Sequence, residues 1–365
     1  MSRTWLFLLI IVISIFGKKS VCGQNVDNEV GLQLESLSRM YIFIPDTLSE
    51  DVYMQRLNEI EQQVKQMIDV ISDEVLKKKM CLIRYIGLLR GPGRYVLKNN
   101  KLFFKKMVEE KIQELDLDSS DLELLSGTDM INLINGYLSF NHSKLSDIER
   151  ATYVLYNIQS EKIRNEYVMR VLSIALKLHG YTDEIGKLIQ DIDLCSKTES
   201  TKIEAHKLKD AYYPVRACGI APDFEMEDEL GKMVKLSDFK GKMVFIDVWA
   251  TWCGGCVEGL PYFMALRDQY KDQKDLVLLT ISDDGIEAKS RWLKFLKEKK
   301  YSGKVPHLII DQEKDNFTKD YCITGIPRYI LIDKEGKIVN AWHVAAKHEL
   351  FSWFFNMELE NMNRK

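Results

Sequence analysis

The chain has 365 residues, 46% hydrophobic and 29% charged, which is the composition of globular protein and more length than one ordinary domain needs. A formal net charge of -3 gives no electrostatic basis for nucleic acid or an anionic membrane surface as partner. Seven cysteines in so long a chain exclude a disulfide scaffold and leave room for a dithiol tool.

In chain order, Met1-Ser2-Arg3 precedes an apolar run from Trp5 to Phe16, closed by Gly17-Lys18-Lys19. A short basic head and a run too short to span a bilayer comfortably predict a secretory signal over residues 1–23, cleaved after Gly23. Two other outcomes would tether the chain to a membrane. One is lipidation at Cys22, for which Lys19-Ser20-Val21 is a poor match; the other is an uncleaved anchor.

Residues 24–210 carry a helical pattern almost throughout and predict an all-α domain, most simply a bundle. Thr47-Leu48-Ser49-Glu50 has the form of a capping box, followed by a stripe at Tyr53, Leu57, Ile60, Val64, Met67 and Ile71. Further stripes fall at Phe104, Val108, Ile112 and Leu115, and at Ile163, Tyr167, Val171, Ile174 and Leu178 with Gly180 as the stop. Gly91-Pro92-Gly93 predicts a tight turn between helices, and Ser146 with Glu149 a second capping box. His142, His179 and His206 stand alone and read as fillers; Cys81 and Cys195 read as packed thiols. For the domain as a whole, a partner-binding or dimerisation platform is the functional expectation.

The helical pattern breaks between Lys209 and Ala221, at Tyr212-Tyr213-Pro214 and Gly219-Ile220-Ala221-Pro222. Residues 211–365 then alternate strand with helix. A hairpin is expected from Phe224–Met226 and Met233–Leu236 around Gly231. The central strand, opening at Val244 and running up to the Cys-x-x-Cys pair, and a helix from Cys256 to about Tyr270 come next. Strands over Leu276–Ser282 and His307–Asp311 follow, each with a helix after it, Ile286–Lys299 and Asp315–Tyr321. Strands at Tyr329–Asp333 and Ile338–Trp342 and a last helix from about Lys347 complete an α/β sheet covered on both faces.

Within that pattern the apolar strand ends directly in Cys253-Gly254-Gly255-Cys256. A helix starting there puts Cys253 among unpaired backbone N–H groups, which favour a thiolate, and Cys256 one turn further in. Cys253 is the expected nucleophile and Cys256 the resolving thiol. A closed zinc site would need a second ligand pair, and a c-type haem a histidine where Val257 stands; neither is present in the sequence. A static disulfide closing so short a loop would contribute little chain-entropy stabilisation.

From about Ala221 onward the sequence resembles the thioredoxin-like thiol-disulfide oxidoreductases of bacterial envelopes, the TlpA and ResA type, which lie close to the peroxiredoxin-like AhpC/TSA group. The matching residues are Ala221-Pro222-Asp223-Phe224, Leu236-Ser237-Asp238-Phe239-Lys240-Gly241-Lys242, Trp249-Ala250-Thr251-Trp252-Cys253-Gly254-Gly255-Cys256 and Gly325-Ile326-Pro327-Arg328-Tyr329-Ile330-Leu331-Ile332-Asp333. The resemblance implies a thioredoxin-like domain whose central mixed sheet has helices on both faces. It also implies a cis-proline at Pro327 that presents the backbone of Ile326 to an extended substrate, and an acid at Asp247 that accepts the resolving cysteine's proton through a water. A carboxyl group in an apolar strand is expensive to bury, and a structural hydrogen-bond acceptor is the other reading of Asp247. Trp252, Gly254 and Gly255 are expected beside the substrate, Trp249 in the core, and Pro306 at the start of a strand.

Three departures stand out. Gly255 replaces a proline common before the second cysteine, Gly259 stands where many relatives carry Glu, and Cys322 is an extra thiol near Pro327. Pro261 matches the kink proline. The sequence therefore predicts an exported thiol-disulfide oxidoreductase acting on protein thiols or disulfides of the envelope, in the reducing direction and fed by an electron donor that the sequence leaves unidentified. No metal, nucleotide or other cofactor is implied. A partner-binding protein whose dithiol does not turn over is the alternative. Peroxide reduction lacks its Pro-x-x-x-Thr-x-x-Cys motif.

Overall fold

A computed structural model describes residues 40–42, 44–45, 48–93 and 102–363. The expected signal segment, Cys22 and Thr47 lie outside them. Two compact units are present: one runs up to Val171 and takes in Cys195–Lys197, the other comprises Leu172–Leu194 and the chain from Thr198 onward.

The helical region comprises α1 (Glu50–Asp69), α2 (Glu74–Leu88), α3 (Leu102–Ile112), α4 (Gly127–Asn141), α5 (Asp147–Asn157), α6 (Glu161–His179), α7 (Asp183–Cys195) and α8 (Glu199–Tyr212). The stripe of α1 is buried at Tyr53, Leu57, Ile60, Val64 and Ile68, and the helix begins from Ser49 without a side-chain cap. Ser146 and Glu149 do form a reciprocal capping box on α5, satisfying two of the N–H groups that a helix start leaves unpaired.

Two expectations in this region need correction. On α6, Ile174 and Leu178 are exposed, whereas Val168, Leu172, Ala175 and Leu176 are buried. A helix turns 100° per residue, so the buried face drifts off any fixed choice of three- and four-residue steps over 19 residues. Gly91-Pro92-Gly93 is no turn between helices: Leu89–Gly93 continues α2 as a π-helical segment. Close approach explains its glycine, because a Cβ on Gly91 would stand 2.4 Å from the carbonyl oxygen of Tyr41.

The second unit carries β1 (Glu225–Asp228), β2 (Met233–Lys235), β3 (Met243–Trp249), α9 (Gly254–Gln269), β4 (Leu276–Ser282), α10 (Lys289–Glu298), β5 (His307–Ile309), α11 (Phe317–Asp320), β6 (Arg328–Ile332), β7 (Ile338–His343) and α12 (Phe351–Asn363). The strands form one mixed sheet in the order β2-β1-β5-β4-β3-β6-β7. At its centre β3 pairs in parallel with β4 and antiparallel with β6, and all seven of its residues are buried. Burial on both faces is why its sequence is a continuous apolar run. On one face Phe245, Trp249, Cys256, Leu260, Phe263, Trp292, Tyr329, Phe351 and Phe355 share a single core. That face carries the dithiol.

Candidate active site

Cys253 is the N-cap of α9, with extended backbone, and its sulfur accepts the N–H of Cys256 at 3.2 Å. The two cysteines are joined in a disulfide. They differ in access: Cys253 is half-buried, while Cys256 is 1% exposed and belongs to the core beneath the helix. Gly254 and Gly255 form the exposed start of α9, and Trp252 stands 62% exposed just before it. Opposite, the Ile326-Pro327 bond is cis and the carbonyl oxygen of Ile326 lies 3.8 Å from the Cys253 sulfur. Of the two sulfurs, that of Cys253 is the more accessible, beside an exposed indole and a backbone carbonyl.

Asp247 lies on β3 between Phe245 and Trp249 on the face turned toward Cys256. It is 1% exposed, and neither carboxylate oxygen has a hydrogen-bond partner in the structure. Burial alone holds its pKa well above the usual carboxylate range. Its place in the sheet is part of a transverse polar row. In register, His307 on β5 neighbours Thr280 on β4, Thr280 neighbours Asp247, Asp247 neighbours Tyr329 on β6, and Tyr329 neighbours His343 on β7. All five are buried. At one end Thr280 Oγ1 meets His307 Nδ1 at 2.7 Å, and burial pushes that imidazole below its ordinary pKa. At the other, His343 Nε2 lies 2.9 Å from Glu358 on α12.

The segment before the dithiol is tied down by Asp284, which sequence reasoning missed. Its buried carboxylate accepts from the Thr251 N–H (2.8 Å), the Thr251 hydroxyl (2.5 Å) and the Ser282 hydroxyl (2.7 Å), and pairs with Arg291 (3.0 Å). Asp283-Asp284 directly after a predicted strand was the only available signal, and acidic pairs at strand ends are common turn residues. Cys322 is buried with its sulfur 2.8 Å from the carbonyl oxygen of Ala211, and burial raises its pKa. It is a packed thiol. Trp249 is fully buried, as expected, and Pro306 directly precedes β5. No cluster of three or more metal-ligating side chains exists among the described residues, and no helix among them is long and apolar enough to cross a membrane.

Comparison with known proteins bears on the second unit. The Redoxin family matches residues 219–351. The thiol-disulfide oxidoreductase ResA of Bacillus thuringiensis subsp. konkukian is 36% identical over 120 residues, which are 33% of this chain and 65% of that protein. The ResA of Bacillus subtilis is 34% identical over 119 residues, 33% of this chain and 63% of the relative. The chain thus spans just under two thirds of the length of these curated relatives. A crystal structure of the thioredoxin domain of a thiol-disulfide oxidoreductase from Bacteroides vulgatus is 30% identical, covering 39% of this chain and 97% of that one with a TM-score of 0.34.

Proposed function

Starting from residues 219–351 as a thioredoxin-like domain of the TlpA/ResA type, we propose that this chain is an exported thiol-disulfide oxidoreductase that reduces partner proteins through Cys253 and Cys256. The observation that carries the proposal is the unequal placement of the two sulfurs. Cys253 caps a helix N-terminus, where N–H groups and the dipole stabilise a thiolate, and is open to a partner; Cys256 is sealed beneath it. In the forward reaction the Cys253 thiolate attacks the partner's disulfide, one partner thiolate leaves, and a mixed disulfide forms. Cys256 then attacks Cys253, the second partner thiolate leaves, and the intramolecular disulfide is restored.

Trp252, Gly254, Gly255 and the Ile326 backbone beside Pro327 form the docking rim for the partner's chain, and Asp247 manages the proton of Cys256. The ResA relatives support disulfide exchange, and export rests on the signal-like sequence over residues 1–23. We place the redox function in residues 211–365; residues 172–194 and 198–210, expected in the helical domain, belong to the same compact unit as the sheet. Turnover of a model protein disulfide by the full chain, with dithiothreitol as reductant, tests the function. Steady reduction that disappears on Cys253→Ser supports it, and a dithiol that never turns over favours a tethering role instead.

A further inference from the structure

Arg328 is the first residue of β6, directly after Ile326-Pro327. Tyr329 beside it belongs to the dithiol core, so the Arg328 side chain takes the opposite face of the sheet. It is 6% exposed, and no carboxylate pairs with it among the described residues. The guanidinium carbon lies 4.2 Å from the centre of the Trp342 ring, and Nη1 donates one long hydrogen bond, 3.4 Å, to the Ala341 carbonyl. Burial lowers its pKa to about 10, a fall that Tyr212 and Cys322 oppose. A guanidinium so placed is a poor source of stability, because a long apolar side chain would fill the same space without desolvating a charge.

The groups around Arg328 tie the loop from Cys322 to Pro327 to the end of α8. Cys322 Sγ lies 2.8 Å from the Ala211 carbonyl oxygen, and the Tyr212 hydroxyl meets the Thr324 side chain in a hydrogen bond. Tyr212 also stacks on the Trp342 ring, with centroids 6.1 Å apart and planes at 26°. Trp342 is fixed in turn: its Nε1 donates to the Lys177 carbonyl at 3.1 Å, and Gly180 passes so close that a Cβ there would stand 2.3 Å from the ring. Lys177, Gly180, Ala211 and Tyr212 all lie in the same compact unit as the sheet. The loop is therefore held at Cys322, Thr324 and Arg328. Ile326, whose carbonyl oxygen is 3.8 Å from the Cys253 sulfur, falls between the second and third of these points.

We propose that Arg328 is a positioning residue for exchange with protein partners: stacked on Trp342, it fixes the start of β6 and with it the Ile326 backbone along which the partner's chain lies beside Cys253. The proposal rests on the oxidoreductase function above. A guanidinium suits the task because it is flat and makes its contact through its whole plane, so the stack restricts both the distance and the tilt of the side chain. The stack exists in the free protein, so a partner does not have to order the loop as it binds. Arg328 lies on the far face of the sheet from both sulfurs and acts only through the loop. A small disulfide that reaches Cys253 without lying along Ile326 gains nothing from it. The end of α8 and the residues after Leu172 that clamp Trp342 thereby support the docking rim from behind.

The test compares two substrates on the full chain: insulin, a protein disulfide, and a small aromatic disulfide whose thiolate absorbs on release. Arg328→Met, long and uncharged, should raise the KM for insulin about tenfold with kcat within about twofold, inside the roughly 100-fold that a misplacement on the order of 1 Å can cost. The rate with the aromatic disulfide should stay within about twofold, and Tm should hold or rise. Arg328→Lys, which keeps the charge but not the plane, should leave the KM defect in place. Tyr212→Phe, which removes only the hydroxyl that meets Thr324, should raise the insulin KM about two- to fivefold and spare the aromatic disulfide. It carries the test if Arg328→Met fails to fold. An unchanged insulin KM, full recovery in Arg328→Lys, or both substrates slowed equally alongside a lower Tm would overturn the positioning role while leaving the oxidoreductase function standing. Failure of the unaltered chain to reduce either disulfide would overturn both.

Discussion

Replacing Asp247 with Asn should make the protein more stable at neutral pH and slower at resolving mixed disulfides. The carboxyl is 1% exposed and both its oxygens lack partners. A carboxamide of nearly the same volume leaves the same two positions unsatisfied, so that cost largely cancels between the variants. What remains is titration. Burial raises the folded-state pKa above the unfolded value of about 3.9, so between those two values the native state holds a proton that the unfolded state has lost. The stability of the unaltered protein therefore falls as pH rises from the unfolded pKa to the folded one, then levels off. Each pH unit separating the two values costs about 1.4 kcal/mol, a cost that Asn avoids. For a unit of this size that corresponds to about 3–6 °C in Tm per pH unit of separation. Urea denaturation of both proteins in the oxidised state from pH 4 to pH 8 reads the difference directly. The two curves should nearly meet at the acid end and diverge as pH rises. A gap that stays constant with pH, or an Asn variant less stable throughout, would refute the desolvation argument.

Three further outcomes follow from the same structure. Asp284→Ala should cost about 2–3 kcal/mol, because it strips a buried carboxylate from Thr251 and Ser282, and should slow attack by Cys253 through a loosened loop; equal attack rates would limit Asp284 to stability. Gly180→Ala should cost about 1–3 kcal/mol, since Gly180 sits at φ +69° and a Cβ there would stand 2.3 Å from the Trp342 ring; an unchanged Tm would show that Trp342 swings aside. The dithiol has a helix N-terminus but no His or Lys between its cysteines, so its reduction potential should fall on the order of -180 to -270 mV. Equilibration against glutathione giving about -120 mV would contradict that.

Much of the redox domain was legible because its signals are local. An apolar run from Val244 that leads into Cys-x-x-Cys predicts both β3 and the capping position of Cys253. The hairpin around Gly231 and the capping box at Ser146 depend on neighbours a few residues apart. What stayed hidden depends on register across strands distant in sequence. Tyr329 reads as one more apolar strand residue, and only the pairing of β3 with β6 sets it beside Asp247. The row that continues to Thr280, His307 and His343 is invisible for the same reason, as is the closing of the β1–β2 hairpin onto β5. In the helical region the stripes located the helices, but α6 is long enough for its buried face to drift away from Ile174 and Leu178.

The central claim is that Cys253 attacks partner proteins and Cys256 releases them. Expressing Cys256→Ser in the native compartment and isolating what is bound to it tests this most directly. The account predicts partner proteins held through Cys253 in a bond that dithiothreitol cleaves, and their loss when Cys253 is also replaced by Ser. Attachment that survives replacement of Cys253, or no attached protein at all, would contradict it.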